Sequence, residues 1–238
     1  MNFSHFPALT LSAALAFGAT TAQAVEVTGG SVGLSYSAFT DDTDFNRLGL
    51  EGSVEFGFNQ NLSLQLDAGY SNFDISGIDS HTLGLHGIYH ADEAMSFGAF
   101  YTREDIEGDD LDIVGVEAGY EMLAWEFEGY LGNVDFDGGD GTIGGLKARY
   151  ETPMGLGVTG SYDHADSSVI DGSRFAVRLD RDVSPMANLF VEIGTAKLDV
   201  GGLSDSEPFV GLGGTIAFGA ERGATFEQRG VSRLIPGL

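Results

Sequence analysis

Apolar and polar residues alternate along most of this chain. From Arg47 to Phe58, Leu48, Leu50, Gly52, Val54, Phe56 and Phe58 share one parity, and Arg47, Glu51 and Glu55 share the other. Side chains of a strand point alternately to its two faces, so this segment has one apolar and one charged face. A helix would mix the two sets. The same period of two returns in Leu62, Leu64, Leu66, Ala68 and Tyr70 against Ser63, Gln65 and Asp67, and in Leu83, Leu85 and Tyr89 against Thr82, His86 and His90. It continues through Met95 to Tyr101, Val114 to Tyr120, Trp125 to Leu131, Leu146 to Tyr150, Leu156 to Tyr162, Phe175 to Leu179 and Leu189 to Ile193. A first strand carries Val32, Leu34, Tyr36 and Ala38, and a last one Val210, Leu212, Ile216 and Phe218. The pattern predicts twelve strands of roughly 9–12 residues, the length a tilted strand needs to cross a bilayer.

The spacers alternate as well. Those near 40–46, 74–80, 105–110, 134–141, 166–173 and 200–207 are long and rich in Asp and Gly, whereas those near 59–61, 91–94, 122–123, 152–155 and 184–187 are short. Long-short alternation predicts an all-β fold, a transmembrane up-and-down antiparallel β-barrel with long loops at one end. Alternation alone suits a soluble barrel equally well. The choice rests on width: about eight strands already make a barrel as wide as side chains can fill, so an apolar lumen inside twelve would be a void. The charged parity is therefore assigned to a watered lumen. Aromatic residues fall into two groups, Phe56, Phe58, Tyr89, Phe97, Tyr120, Trp125, Phe127, Tyr150 and Phe218 near the short turns and Tyr36, Tyr70, Tyr101, Tyr162 and Phe175 toward the long loops. Two aromatic belts fit two membrane interfaces.

Met1 to Ala24 breaks the pattern. It holds no Asp, Glu, Lys or Arg, and an apolar run from Ala8 to Phe17 leads to Ala22-Gln23-Ala24, an A-x-A cleavage signal. Residues 1–24 are assigned as a signal peptide, 25–219 as the barrel and 220–238 as a C-terminal periplasmic tail, with a plug inside the barrel as the alternative place for that tail.

Composition narrows the function. With 11 Lys+Arg against 36 Asp+Glu the 238-residue chain carries a formal net charge of −25, which excludes phosphate neutralisation and so a nucleic-acid partner. The absence of cysteine excludes disulfides, thiol nucleophiles and Cys-based metal sites. Apolar residues at 42% are too many for a disordered acidic chain. The lumen parity supplies the pore-lining candidates Arg47, Glu51, Glu55, Asp67, Glu117, Glu121, Glu126, Glu128, Lys147, Arg149, Asp163, Arg174, Arg178 and Glu192, together with Asp180. Acids outnumber bases there, which predicts a weak cation preference in a conducting lumen. The acids and bases lie on neighbouring strands, so they either set up a transverse field across open water or pair into a rigid network.

The long spacers gather over half of the carboxylates, from Asp41 through Glu104 and Asp105 to Glu207. Hard oxygen ligands in glycine-rich loops can hold Ca²⁺ or Mg²⁺, with Asp135, Asp137 and Asp140 as the best local candidates, and such ions can bridge to lipopolysaccharide. The Asp135 segment is not an EF-hand, because Leu146 stands where the twelfth-position Glu would be. Otherwise the chain shows no cofactor signature. Solvated, mutually repelling loops are the simpler reading. No catalytic residues are assigned: there is no G-x-S-x-G, and His86 and His90 share the lumen face without a serine in a nucleophile context. His164, near Asp163, Asp166, Ser167 and Ser168, is a loop-edge cluster of a kind loops often collect.

With Ala22-Gln23-Ala24, the start Val25-Glu26-Val27-Thr28-Gly29-Gly30 and the strand ends Gly69-Tyr70 and Gly119-Tyr120, the chain resembles Gram-negative outer-membrane porins, in the manner of the small proteobacterial barrels. The likeness spans about residues 22–218 and is one of texture. It implies a bacterial outer-membrane location, lipid and lipopolysaccharide as surroundings, passive diffusion of ions and small polar solutes, no enzymatic activity, and a homotrimer. Three features depart from it, the first being that general porins have about 16–18 strands, for which this chain lacks the length. The third long spacer, Arg103 to Leu111, is too short for an inward constriction loop, and the strand-ending aromatic Phe218 is followed by a tail to Leu238. A non-conducting barrel that binds through its acidic loops is the alternative function.

Overall fold

The computed structural model describes residues 25–74, 78–136, 139–167, 170–200, 203–219 and 223–236. Residues 1–24, the proposed signal peptide, lie outside them. Twelve antiparallel strands follow in chain order: β1 (Glu26–Phe39), β2 (Asn46–Gly57), β3 (Leu62–Phe73), β4 (Ile78–His90), β5 (Met95–Ile106), β6 (Asp109–Met122), β7 (Trp125–Phe136), β8 (Gly139–Glu151), β9 (Leu156–Ser167), β10 (Ile170–Ser184), β11 (Ala187–Val200) and β12 (Leu203–Gly219). Each pairs with its sequence neighbours, and β1 pairs with β12 from Gly29↔Gly219 to Phe39↔Phe209, which closes the barrel. Closure leaves no open edge, as a sheet within a bilayer requires.

The alternation read from the sequence sets the two faces. Val116 is 61% exposed and Leu131, its cross-strand partner, 70%, and a continuous set of apolar side chains from Val32 to Phe218 covers the outer wall. Gln65, His86, Thr102 and Glu104 are fully buried on the inside. A soluble barrel has the opposite arrangement, so this is a transmembrane barrel. The short-turn rim carries Trp125 stacked on Phe127 (ring centroids 5.8 Å) and against Tyr150 (4.8 Å), part of one expected aromatic belt.

The turns at that rim are held by side chains. Asn59 Oδ1 accepts the N–H groups of Asn61 and Leu62, and Asp92 Oδ1 those of Ala94 and Met95. These Asx turns reverse the chain within a few residues. At the other rim the long loops expected from Asp and Gly density are mostly absent. Pairing runs out to Ile106↔Asp109, Phe136↔Gly139, Asp171↔Asp166 and Val200↔Leu203. Between β5 and β6 only Glu107 (φ +55°) and Gly108 (φ +91°) remain, a tight turn with two left-handed residues. The strands extend because cross-strand hydrogen bonds continue beyond the bilayer, where water solvates the carboxylates. Observed strands accordingly reach 17 residues in β12, longer than predicted.

Of the residues assigned as a periplasmic tail, those at 223–236 lie inside the barrel, the alternative place given for them. Thr225 bonds Glu55 near the short-turn rim, Val231 and Ser232 bond Glu104 further along, and Pro236 accepts a hydrogen bond from Ser37 Oγ (2.7 Å) toward the other rim. The tail therefore runs lengthwise through the bore, with a short 3-10 turn at Ser232–Leu234.

Candidate functional site: the occupied bore

The bore is built from alternate residues of every strand, so each inward carboxylate or base is placed by its register. The inner wall is less uniformly polar than the sequence suggested. Phe100, Ile113, Val134 and Ile143 form a buried apolar cluster around Leu234 of the tail, with Val231 and Ile235 packed against it. A second inward cluster joins Phe39, Ala176, Ala196 and Phe209. These residues sit at positions the alternation pattern assigned to the charged face. They avoid becoming a void because the tail supplies apolar partners for the first cluster.

All the proposed pore-lining residues turn inward, and most are paired. Arg149 grips Asp180 through two bonds (3.1 and 2.8 Å) and Glu126 through a third (2.9 Å). Arg174 pairs with Glu192 and lies 3.9 Å from Asp163, while Arg178 reaches Glu192 at 3.1 Å and stacks over Phe190. Arg47 bonds Ser71 (3.0 Å) and lies 3.6 Å from Glu51. Of the two readings left open by the sequence, the paired network describes this wall. Such pairing offsets part of the desolvation cost of each ion and fixes side-chain positions. Glu121 faces the same side near the short-turn rim and is also engaged.

The tail engages much of what remains. Glu55 accepts the N–H (2.9 Å) and hydroxyl (2.7 Å) of Thr225. Gln65 exchanges two bonds with the Phe226 backbone (2.8 and 3.1 Å). Lys147 bridges Glu128 (2.7 Å) and Glu227 (2.9 Å). Arg233 lies 3.4 Å from Glu51 and 3.1 Å from Glu227. Arg229 is held by Glu117 and Glu128. The Gln228 amide packs directly over Gly69, where a β-carbon would oblige that side chain to shift.

Glu104, counted from sequence among the loop carboxylates, is a wall residue of β5. It is fully buried and ringed by Ser80 (3.0 Å), Thr82 (3.2 Å), the Ser232 hydroxyl and the Val231 N–H (2.6 Å). The extended strand pairing through Ile106 is the signal that would have found it. The tail arginines Arg229 and Arg233 were also missed as site residues, because nothing local in a sequence says that a segment folds back into a barrel.

Three of the histidines are held by neighbouring polar groups. His86 lies between Asp67 Oδ2 (2.7 Å) and Glu117 Oε1 (2.6 Å). His90 does have serines within reach, Ser63 at 2.7 Å from Nε2 and Ser96 at 2.9 Å from Nδ1. Its nearby carboxylate, Glu55, is 3.4 Å from the same nitrogen as Ser63. Ser96 and Glu55 therefore lie on opposite ring nitrogens of His90. His164 Nδ1 faces the Gly172 carbonyl at 3.0 Å. Of the candidate metal ligands, Asp135 and Asp140 stand opposite each other in the β7–β8 register, while Asp137 lies outside the described residues. Among the described residues no group of three or more metal-ligating side chains converges.

The inside-out twelve-stranded barrel is a fold shared with solved outer-membrane channels. The chain is similar to the KdgM porin (TM-score 0.59, 10% identity, covering 79% of this chain and 99% of that one). It is also similar to the COG4313 outer membrane channel from Pseudomonas putida F1 (TM-score 0.59, 13% identity, 84% and 98%). The NanC porin gives a TM-score of 0.58 at 10% identity, covering 79% and 98%. KdgM has also been solved in complex with disordered oligogalacturonate (TM-score 0.60, 10% identity, 79% and 99%). At these identities the likeness is one of fold. No family model matches the chain, and no curated protein does.

Proposed function

We propose that this chain is an outer-membrane channel for passive diffusion of ions and small polar solutes, stoppered in this conformation by its own C-terminal segment. The observation that carries the reading is the charged, hydrogen-bonding bore enclosed by an apolar outer wall. A watered conduit through lipid needs those two faces. The neighbouring folds, described as porins and channels, support the same reading.

The wall acids outnumber the wall bases, and Arg229 and Arg233 of the tail neutralise part of that excess. A bore vacated by the tail is therefore cation-preferring. An anionic chain such as the oligogalacturonate seen with KdgM is disfavoured here. The competing reading, a non-conducting surface barrel, is favoured by the depth to which the tail fills the bore.

Planar-bilayer recording separates the two. The full chain is expected to show mostly closed records with infrequent openings, and variants that lose tail anchors, such as Glu104→Gln, to open more often. A variant whose tail becomes protease-sensitive yet passes no current would leave only the structural barrel.

A further inference from the structure

The Arg229 guanidinium is held by carboxylates and aromatic rings of the barrel wall. Arg229 Nε and one terminal nitrogen donate to Glu117 Oε2 (3.0 and 2.8 Å), and that terminal nitrogen also donates to Glu128 Oε1 (2.6 Å). The guanidinium carbon lies 4.3 Å from the Tyr130 ring centroid and 5.9 Å from that of Phe100. Each carboxylate is fixed by a further wall residue: Glu117 Oε1 by His86 at 2.6 Å, and Glu128 Oε2 by Lys147 at 2.7 Å. Phe100 is itself packed, stacked with His86 at 5.8 Å and edge-on to Tyr130 at 6.3 Å. These six residues come from β4, β5, β6, β7 and β8. The tail brings the cation and also packs around the site: the Glu227 N–H donates to Glu128 Oε1 (3.3 Å), the Glu227 carboxylate bonds Lys147 (2.9 Å), and Phe226 stacks on His86 at 6.4 Å.

The arrangement suits a guanidinium better than an ammonium. A guanidinium is flat, presents forked donors to two carboxylates at once, and stacks by its face on an aromatic ring. An ammonium is a compact, strongly hydrated point charge that gains less from the ring and loses more on leaving water. The pocket therefore has both charge and shape complementarity.

We propose that Glu117, Glu128, Tyr130 and Phe100 form a binding site for small guanidinium-bearing cations, of which Arg229 is the tethered occupant. When the tail side chain is absent or withdrawn, a free guanidinium solute takes its place. The role of this site in selecting solutes rests on the channel reading above; the binding itself does not.

The test uses the full-length chain in detergent with Arg229→Ala and two probes of similar size, methylguanidinium and methylammonium. Calorimetry should give binding heat for methylguanidinium to R229A and none to the unsubstituted chain, whose pocket is filled. Methylammonium should need at least tenfold higher concentration. Adding Glu117→Gln to R229A should weaken methylguanidinium binding by tenfold or more, and methylguanidinium should restore the protease resistance of the R229A tail. Equal response to both probes, or no response by R229A, overturns the proposal. Should R229A fail to refold alone, refolding in methylguanidinium but not methylammonium supports the site. Rescue by both, or by neither while Arg229→Lys refolds, overturns it. Bilayer current is a separate readout: heat without current keeps the site and removes the channel, and current without heat does the reverse.

Discussion

Glu104 on β5 accepts the backbone N–H of Val231 at 2.6 Å, so a carboxylate in the barrel wall is bonded directly to the main chain of the tail. Ser232 adds its own N–H and hydroxyl to the same carboxylate. A fully buried carboxylate satisfied by donors of a separate segment is a strong latch, because undocking the segment leaves the charge without them.

Glu104→Gln keeps the size of the group and removes its charge. Hydrogen bonds to charged groups contribute about 1.5–3 kcal/mol, so docking of the tail should weaken by that order. Limited proteolysis should cut the tail of the variant at least tenfold faster, with the barrel itself staying intact. Equal cleavage rates would show that the latch lies elsewhere along the tail.

Acid should loosen the plug through Glu227. The Lys147 ammonium holds its carboxyl well below the usual carboxylate range, with burial opposing and Arg233 and Arg178 assisting. A carboxyl depressed in the docked state stabilises docking above its free value, near about 4.3, and that contribution fades as pH falls through the depressed value. Open probability should stay flat from neutral pH to about 5 and rise only well below about 4. Glu227→Gln should raise it at neutral pH and flatten the acid response. A rise already complete at pH 6 would assign the effect to another group.

The outer wall makes a different prediction. Val116 sits mid-strand on β6 and is 61% exposed to the outside. Arginine on a lipid-facing midplane site costs about 2–4 kcal/mol. Val116→Arg should lose that much stability in denaturant titrations in lipid vesicles, followed by Trp125 emission. An unchanged midpoint would mean that this face does not meet acyl chains.

Arg174 and Arg178 share Glu192, and Arg174 also lies near Asp163. Replacing both by alanine leaves two wall carboxylates without their guanidinium partners. In the Glu104→Gln background, reversal potentials under a salt gradient should shift toward the cation limit. Potentials that do not move would mean that these wall charges do not reach the conducting path.

The alternation of Leu48, Leu50, Val54 and Phe56 with Arg47, Glu51 and Glu55 was enough to place strand and face, because a period of two maps directly onto the two sides of a sheet, while the membrane followed only once twelve strands made the barrel too wide for an apolar lumen. The number of strands and their up-and-down order were legible for the same reason, since neighbouring segments pair in sequence. Where strands end was not. Asp and Gly density resembles a loop, yet residues such as Glu104 and Asp110 lie in paired β5 and β6. Carboxylates mark contact with water, and a barrel has water both beyond its rim and within its bore.

The sequence by itself determined the barrel, its inside-out polarity and the charged residues that face inward, all of which follow from local period and composition. Only the tertiary structure decided that Thr225 to Pro236 lies inside that barrel, that Glu104 and Glu117 hold it, and that the inward apolar residues around Ile113 have a partner in Leu234. These are contacts between residues more than a hundred positions apart. Their register depends on how a closed sheet presents its inner wall, and no local pattern in the chain encodes it.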